Sequence, residues 1–115
     1  MTHDPDCIFC KIAKGEIPSQ LIYQDDELIA FKDIRPAAPV HFLIVPREHI
    51  PRLQDCGPHH QALLGKMMTL APKLAAEQGV TNGFRAVINN GEDGGQEVYH
   101  LHLHVMGGPR PWKIG

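Results

Sequence analysis

Three histidines at alternate positions, His100, His102 and His104 within Val98-Tyr99-His100-Leu101-His102-Leu103-His104-Val105-Met106, are the residues of this chain best suited to chemistry. Successive side chains of a β-strand point to opposite faces. The spacing therefore predicts a row of imidazoles at roughly 6.5 to 7 Å intervals on one face and Tyr99, Leu101, Leu103 and Val105 on the other. A merely solvated face would be served by Thr, Ser or Lys, none of which titrates near neutrality as histidine does. Two chemistries fit the row. Imidazoles two apart can ligate zinc, a third completing an open catalytic site. Alternatively, one neutral ring attacks phosphorus while its neighbours hold the phosphate oxygens. The preceding loop favours the second: Gly91, Gly94 and Gly95 permit positive φ and close backbone approach, so their N–H groups can cradle an anion, with Asn89 as a side-chain donor.

A second reactive pair is Cys7-Ile8-Phe9-Cys10, whose thiols face one point if the segment is helical, as a metal requires. Three cysteines are an odd number, and two of them this close read as a metal or redox pair more than a disulfide scaffold. The pair lacks the preceding strand of a thioredoxin-like unit, which disfavours redox catalysis, and a reducing cytoplasm is the expected location. Cys56 has no partner in sequence, and His59-His60 reads as a solvated pair near a helix start.

The elements that must position these groups follow from periodicity. Asp6 is placed to cap a helix from residue 7 to about 14, with Ile8, Phe9 and Ile12 on one face and Gly15 ending it. Leu21-Ile22-Tyr23 and Leu28-Ile29-Ala30-Phe31 form a predicted hairpin across Gln24-Asp25-Asp26-Glu27. A third strand runs from Val40 to Val45 and stops at Pro46. Gly57-Pro58 opens a long helix in which Leu63, Leu64, Met67, Met68, Ala71, Leu74 and Ala75 recur at helical spacing up to Gly79. Pro72 predicts a kink or a 3₁₀ turn inside it. Strands over 84–89 and 98–106 complete the set.

Five strands and two helices without βαβ alternation predict an α+β fold: a five-stranded antiparallel sheet with a short N-terminal helix and one long helix. The 115 residues suit a single domain over 1–115. Lys and Arg total 11 against 13 for Asp and Glu, so no excess positive field is available to a nucleic-acid polymer. No apolar run approaches the roughly 20 residues of a membrane span, and the first residues do not read as a leader, so neither a membrane partner nor export is expected.

The segment His100-Leu101-His102-Leu103-His104-Val105-Met106 resembles the H-φ-H-φ-H-φ-φ signature of the histidine-triad (HIT) superfamily. Gly94-Gly95-Gln96-Glu97-Val98-Tyr99 before it and Gly107-Gly108 after it are similar to the Hint branch. The likeness spans nearly the whole chain, through Ile8-Phe9, Lys11-Ile12, Glu16-Ile17-Pro18, Tyr23-Gln24-Asp25-Asp26, Ala30-Phe31, Asp33-Ile34, Pro36, Ala38-Pro39, His41-Phe42 and Val45-Pro46.

The resemblance implies a homodimer that hydrolyses purine nucleoside phosphoramidates, AMP joined to an amine, with no cofactor required for catalysis. It assigns His102 as a nucleophile that forms a transient nucleotidyl-histidine, and His104 and His41 as supports for the phosphate and the nucleophile. Asp33 would accept from the ribose hydroxyls. Phe9, Ile12, Phe31, Ile34 and Leu43 would wall the base pocket, and Asn89, Gly95, Gln96, Glu97 and Val98 would lie on the phosphate side. It also implies a structural zinc held by Cys7, Cys10, His49 and His100, pinning the N-terminal helix to the start of the histidine strand. Two other readings are a dinucleoside polyphosphate hydrolase or phosphorylase of the same superfamily and a nucleotide-responsive binding protein with incidental turnover; Gly107-Gly108 weighs against the former. Glu97 departs from the serine of some Hint proteins, since an ionised carboxylate cannot donate to a phosphate or leaving group. Trp112, in a short tail, either reaches a partner's site or covers its own core.

Overall fold

The computed structural model describes residues 4–112. Its elements in chain order are α1 (Ile8–Ala13), β1 (Leu21–Gln24), β2 (Leu28–Lys32), β3 (Val40–Pro46), 3₁₀ turns at Leu53–Asp55 and Pro58–His60, α2 (Gln61–Glu77), β4 (Phe84–Val87) and β5 (Leu103–Gly107). The strands form one sheet in the order β1-β2-β3-β5-β4, every pairing antiparallel.

The two-residue period of the strands divides the core. Leu28, Ala30, Phe42, Ile44, Leu103 and Val105 pack on one face with Met67, Leu70, Ala71, Leu74 and Ala75 of α2. Ile29, Phe31, Leu43 and Val45, the residues between, pack on the other face with Cys7, Phe9 and Cys10 of the N-terminal segment. Apolar residues at successive positions are what a strand covered on both sides requires. His104 of β5 falls between Leu103 and Val105, so it lies on the α1 face of the sheet, which the six-residue helix α1 covers.

Several boundaries differ from expectation for local reasons. Cys7, not Asp6, caps α1: the Asp6 N–H donates to Asp4 Oδ1 at 2.9 Å, and the Cys7 sulfur accepts from the Cys10 N–H at 3.4 Å. Ile8 lies 46% exposed, because so short a helix buries only Phe9 and Cys10. The long helix stays α-helical through Pro72, which sits on its exposed face where the carbonyl it deprives of a donor can meet water. The 3₁₀ turn falls instead at Pro58–His60.

β4 ends at Val87, paired with His104, before the chain enters the glycine loop. β5 begins at Leu103, paired with Ile44 of β3, and not at Val98. Upstream of it the Leu101 N–H turns to the Ile50 carbonyl at 2.7 Å, outside the sheet, and Tyr99 is exposed where the strand reading placed it in the core. Among the described residues no helix is long and apolar enough to cross a membrane.

Candidate active site

β3 and β5 bring His41 and His104 together on the α1 face, Leu43 pairing with His104 and His41 with Met106, and His102 immediately precedes β5. The His41 and His104 rings have centroids 5.2 Å apart, and those of His102 and His104 are 4.8 Å apart. Phe9 of α1 stands edge-on to His102 at 5.1 Å and to Phe31 at 5.4 Å, fixing the position of the His102 ring against the apolar patch.

Backbone groups determine the tautomer of each ring, because an N–H can only donate and a carbonyl can only accept. The Ala37 N–H donates to His41 Nδ1 at 3.0 Å, so the His41 proton resides on Nε2. That Nε2 lies 2.9 Å from His104 Nδ1 and 3.5 Å from Asp33 Oδ2. His104 Nδ1 is thereby an acceptor, and its own proton is on Nε2. His102 Nδ1–H donates to the carbonyl of His100 at 2.7 Å, leaving the lone pair of its Nε2 free. His100 Nε2–H donates to the Pro46 carbonyl at 2.7 Å, leaving Nδ1 as a lone pair. One ring of the pair 102/104 therefore offers a nucleophilic nitrogen and the other an N–H donor.

Burial keeps these rings neutral near pH 7. It pushes the pKa of His104 down to about 4, with the neighbouring His102 and His41 adding to the effect, and that of His100 also down to about 4. Burial lowers His102 as well, against the hydrogen bond to the His100 carbonyl and the charges of Asp33 and Glu97. His41 is lowered by burial and raised by Asp33.

The other expected site residues fall into three groups. Phe9, Phe31 and Leu43 are buried in one cluster, with Ile12 and Val98 partly buried against it, beside the histidines. Asp33 joins them through Oδ2, while its Oδ1 accepts from the Arg35 N–H at 2.8 Å. Ile34 stands apart, 90% exposed. In the glycine loop, Asn89 Nδ2 donates to the Gly94 carbonyl at 2.8 Å.

Gln96 is buried, and its side chain ties the loop together. Oε1 accepts from the Gly91 N–H at 2.8 Å, and Nε2 donates to the carbonyls of Pro51 at 2.7 Å and Val98 at 3.0 Å. The N–H groups of Gly95 and Gln96 donate within the loop to Glu92 and Gly91. These bonds make Gln96 a loop staple and engage the N–H groups of Gly91, Gly95 and Gln96 inside the loop. Gly94 is required by packing, since a Cβ there would lie 2.4 Å from the Asn90 carbonyl oxygen.

Cys7, Cys10, His49 and His100 converge into a second cluster. His100 Nδ1 is 3.3 Å from Cys7 Sγ, 3.5 Å from Cys10 Sγ and 3.3 Å from His49 Nδ1, and Cys10 Sγ is 3.4 Å from His49 Nδ1. A tetrahedral zinc with Zn–S of about 2.3 Å and Zn–N of about 2.0–2.1 Å has edges of about 3.6 Å and about 3.3 Å, so the four donors fit such an ion. Burial pushes the Cys10 thiol up to about 11, the state a metal would reverse by displacing the proton. Asp33, His41 and His104 also lie close together, but His41 Nε2 carries its proton and has no lone pair to give.

Ala37, Pro46 and the His100 carbonyl act through backbone atoms, so no residue-type pattern announces them. His60, read as solvated, is buried, with Nε2 3.1 Å from Glu48 Oε2 and Nδ1 accepting from the Gly57 N–H at 3.0 Å. Trp112 packs on its own chain: its Nε1–H donates to the Gly108 carbonyl at 3.0 Å, and the guanidinium groups of Arg85 and Arg110 lie over its ring.

A domain of this topology carries paired histidines in complementary tautomers, and comparison with known proteins gives its family. Residues 6–113 match the family model described as scavenger mRNA decapping enzyme C-term binding. The chain is 55% identical over 104 residues to protein HitA of Neisseria gonorrhoeae, covering 90% of this chain and 97% of that one. It is 47% identical to the purine nucleoside phosphoramidase of Escherichia coli, covering 90% and 87%. Among solved structures, a HIT family hydrolase from Legionella pneumophila superposes with a TM-score of 0.88 at 46% identity, covering 91% of this chain and 95% of that one. The chain belongs to the histidine-triad (HIT) family of hydrolases.

Proposed function

We propose that this HIT-family hydrolase cleaves purine nucleoside phosphoramidates, AMP joined to an amine, through a nucleotidyl-histidine on His102. The observation that carries the reading is the 2.7 Å bond from His102 Nδ1–H to the His100 carbonyl, which presents Nε2 as a neutral nucleophile. The name of the Escherichia coli relative supports the substrate class.

In the first step the Nε2 lone pair bonds to phosphorus, the P–N bond to the amine breaks, and the departing nitrogen takes a proton from solvent, which the attacking water of the second step gives back. The His102 ring becomes a phosphorylated imidazolium whose Nδ1–H is still held by the His100 carbonyl. His104 Nε2–H donates to a non-bridging phosphate oxygen, and His41 keeps His104 in that tautomer. Water then attacks phosphorus, the P–Nε2 bond breaks, and AMP and neutral His102 are restored. Phe9, Ile12, Phe31 and Leu43 form the apolar ground for the base, and Ile34, exposed at the rim, would be covered on binding.

Cys7, Cys10, His49 and His100 would hold a structural zinc, which supplies rigidity and leaves no open position for substrate. Support for a homodimer comes from β4, which among the described residues pairs with β5 alone and leaves Phe84 38% exposed, and from Met68, 51% exposed on α2. The three cysteines, none of them in a disulfide, suit a reducing cytoplasm.

Single-turnover rates on an adenosine phosphoramidate and on a dinucleoside polyphosphate, with acid-quench mapping of any labelled histidine, test the reading. Faster cleavage of the phosphoramidate with label on His102 is expected. Label elsewhere, or preference for the polyphosphate, would overturn it.

A further inference from the structure

α1 is six residues long, too short to stand alone, and it carries one wall of the apolar ground, Phe9 and Ile12 packing with Phe31 and Leu43. Its two ends are held differently. At the start, Cys7, Phe9 and Cys10 are buried in the core. At the end, the last turn closes on itself: the N–H groups of Lys14, Gly15 and Glu16 donate to the carbonyls of Cys10, Ile12 and Lys11. The Ala13 carbonyl is left over, and Arg47 Nη1–H donates to it at 2.6 Å. Among the described residues no other hydrogen bond joins 11–18 to the sheet. The guanidinium that makes this bond is itself fixed. Arg47 directly follows β3, and its backbone N–H donates to the Glu27 carbonyl at 2.8 Å. Its Nε–H donates to the Asp25 carbonyl at 2.7 Å, and Nη2–H to Gln24 Oε1 at 3.1 Å. One planar fork thus ties the end of α1 to β3 and to the turn between β1 and β2.

We infer that Arg47 is a positioning residue for base recognition: it holds the C-terminal end of α1 so that Ile12 closes the wall against which the base packs. The inference rests on the proposed function, in which the base lies on Phe9, Ile12, Phe31 and Leu43. Without the Ala13 bond, α1 tilts about its buried cysteines. The six residues of the helix span about 9 Å, so the displacement grows from Phe9, between the two cysteines, to Ile12 and Ala13 beyond them. Phe9 keeps its edge-on contact with His102. The tautomers of His102 and His104, set by the His100 carbonyl and by His41, are untouched. Base binding weakens while the chemistry at phosphorus is preserved.

The test measures kcat and KM of the parent, Arg47→Met and Arg47→Lys on an adenosine phosphoramidate and on the matching ribose 5-phosphoramidate, which has the same reacting bond and no base. Circular dichroism checks that each chain is folded. For Arg47→Met the adenosine substrate should show KM raised about tenfold, the low end of what one methylene in an apolar pocket discriminates, with kcat within about twofold. The baseless substrate should show no change. Arg47→Lys, whose ammonium can bond the Ala13 carbonyl but cannot span all three acceptors, should fall between parent and Arg47→Met. In an Ile12→Ala background the effect of Arg47→Met on KM should shrink to within about twofold, since the displaced contact is already gone. The inference is overturned by a folded Arg47→Met chain that keeps the parent KM, by a fall confined to kcat, by equal losses on both substrates, by an undiminished effect in the Ile12→Ala background, or by unfolding of both Arg47 variants. A parent that handles the two substrates with the same KM would instead refute the placement of the base, which separates the two failures.

Discussion

In the proposed reaction His41 does not touch phosphorus, yet its removal should cost most of the turnover. Its Nε2–H lies 2.9 Å from His104 Nδ1, with its own Nδ1 fixed by the Ala37 N–H at 3.0 Å. Replacing His41 by leucine fills similar space, since the site is nearly closed to solvent. It leaves two groups without partners: the Ala37 N–H and His104 Nδ1. A buried orphan costs about 1–3 kcal/mol, so a measurable fall in melting temperature is expected. The larger effect is on the tautomer. With no donor on Nδ1, His104 is free to carry its proton there and present a lone pair to the phosphate. Losing a well-aimed oxyanion donor outright lowers kcat by about 10²–10³-fold. Because part of the population keeps the proper form, a loss of about 10- to 100-fold is expected, or about 1.4–2.7 kcal/mol of barrier. His41→Gln, whose amide can donate to His104 Nδ1, should recover part of it. Rapid-quench measurement of the first turnover, with AMP affinity determined in parallel, is the assay. A folded leucine variant with a first-turnover rate within threefold of the parent would refute the relay.

Other perturbations separate the remaining roles. His102→Ala should abolish turnover and preserve AMP binding, checked by calorimetry, because the apolar ground around Phe9, Phe31 and Leu43 survives. Acid should destabilise the fold: the buried rings of His100 and His104 stay neutral down to about pH 4, whereas unfolded histidines take up protons near 6.5. The unfolded state thus binds more protons between those values, so stability is flat above about 6.5 and declines as pH falls toward 4, as denaturant midpoints across that range will show. Turnover should fade in the same direction as His102 protonates, since burial lowers its pKa below the ordinary value and the protonated ring has no lone pair. Glu97→Gln should reduce the preference for lysine-like over aromatic amine leaving groups, measured as a ratio of kcat/KM, if the carboxylate accepts from a substrate ammonium.

The clustering of the candidate site is legible where side-chain type and spacing carry it. The alternation His100, His102, His104 placed the rings on one face, and the Cys7–Cys10 spacing placed two thiols together. The strand period in Leu28–Phe31 and Val40–Val45 predicted the central sheet, whose hairpin and third strand lie where expected. What was not legible depends on backbone partners. The Ile50 carbonyl draws Leu101 out of the sheet and shortens β5, and the Ala37 N–H decides a tautomer, although neither residue type signals such a role. His60 looked solvated because its acceptor, Glu48, comes from a distant turn. The bonds by which Gln96 closes the glycine loop are not signalled by its residue type, because its three partners, Gly91, Pro51 and Val98, are backbone groups.

The strict odd and even partition of β2 and β3 constrains how this chain can change over time. Deleting or inserting one residue inside Val40–Pro46 would carry His41 and Leu43 to the side of α2 and turn Phe42 toward the α1 face, exchanging oil for reagent in a single event. Length variation among descendants of such a sequence should therefore collect in the turn after Gln24, the stretch from Arg47 to Gly57 and the tail beyond Gly108, while the central strands tolerate replacement but not a change of count.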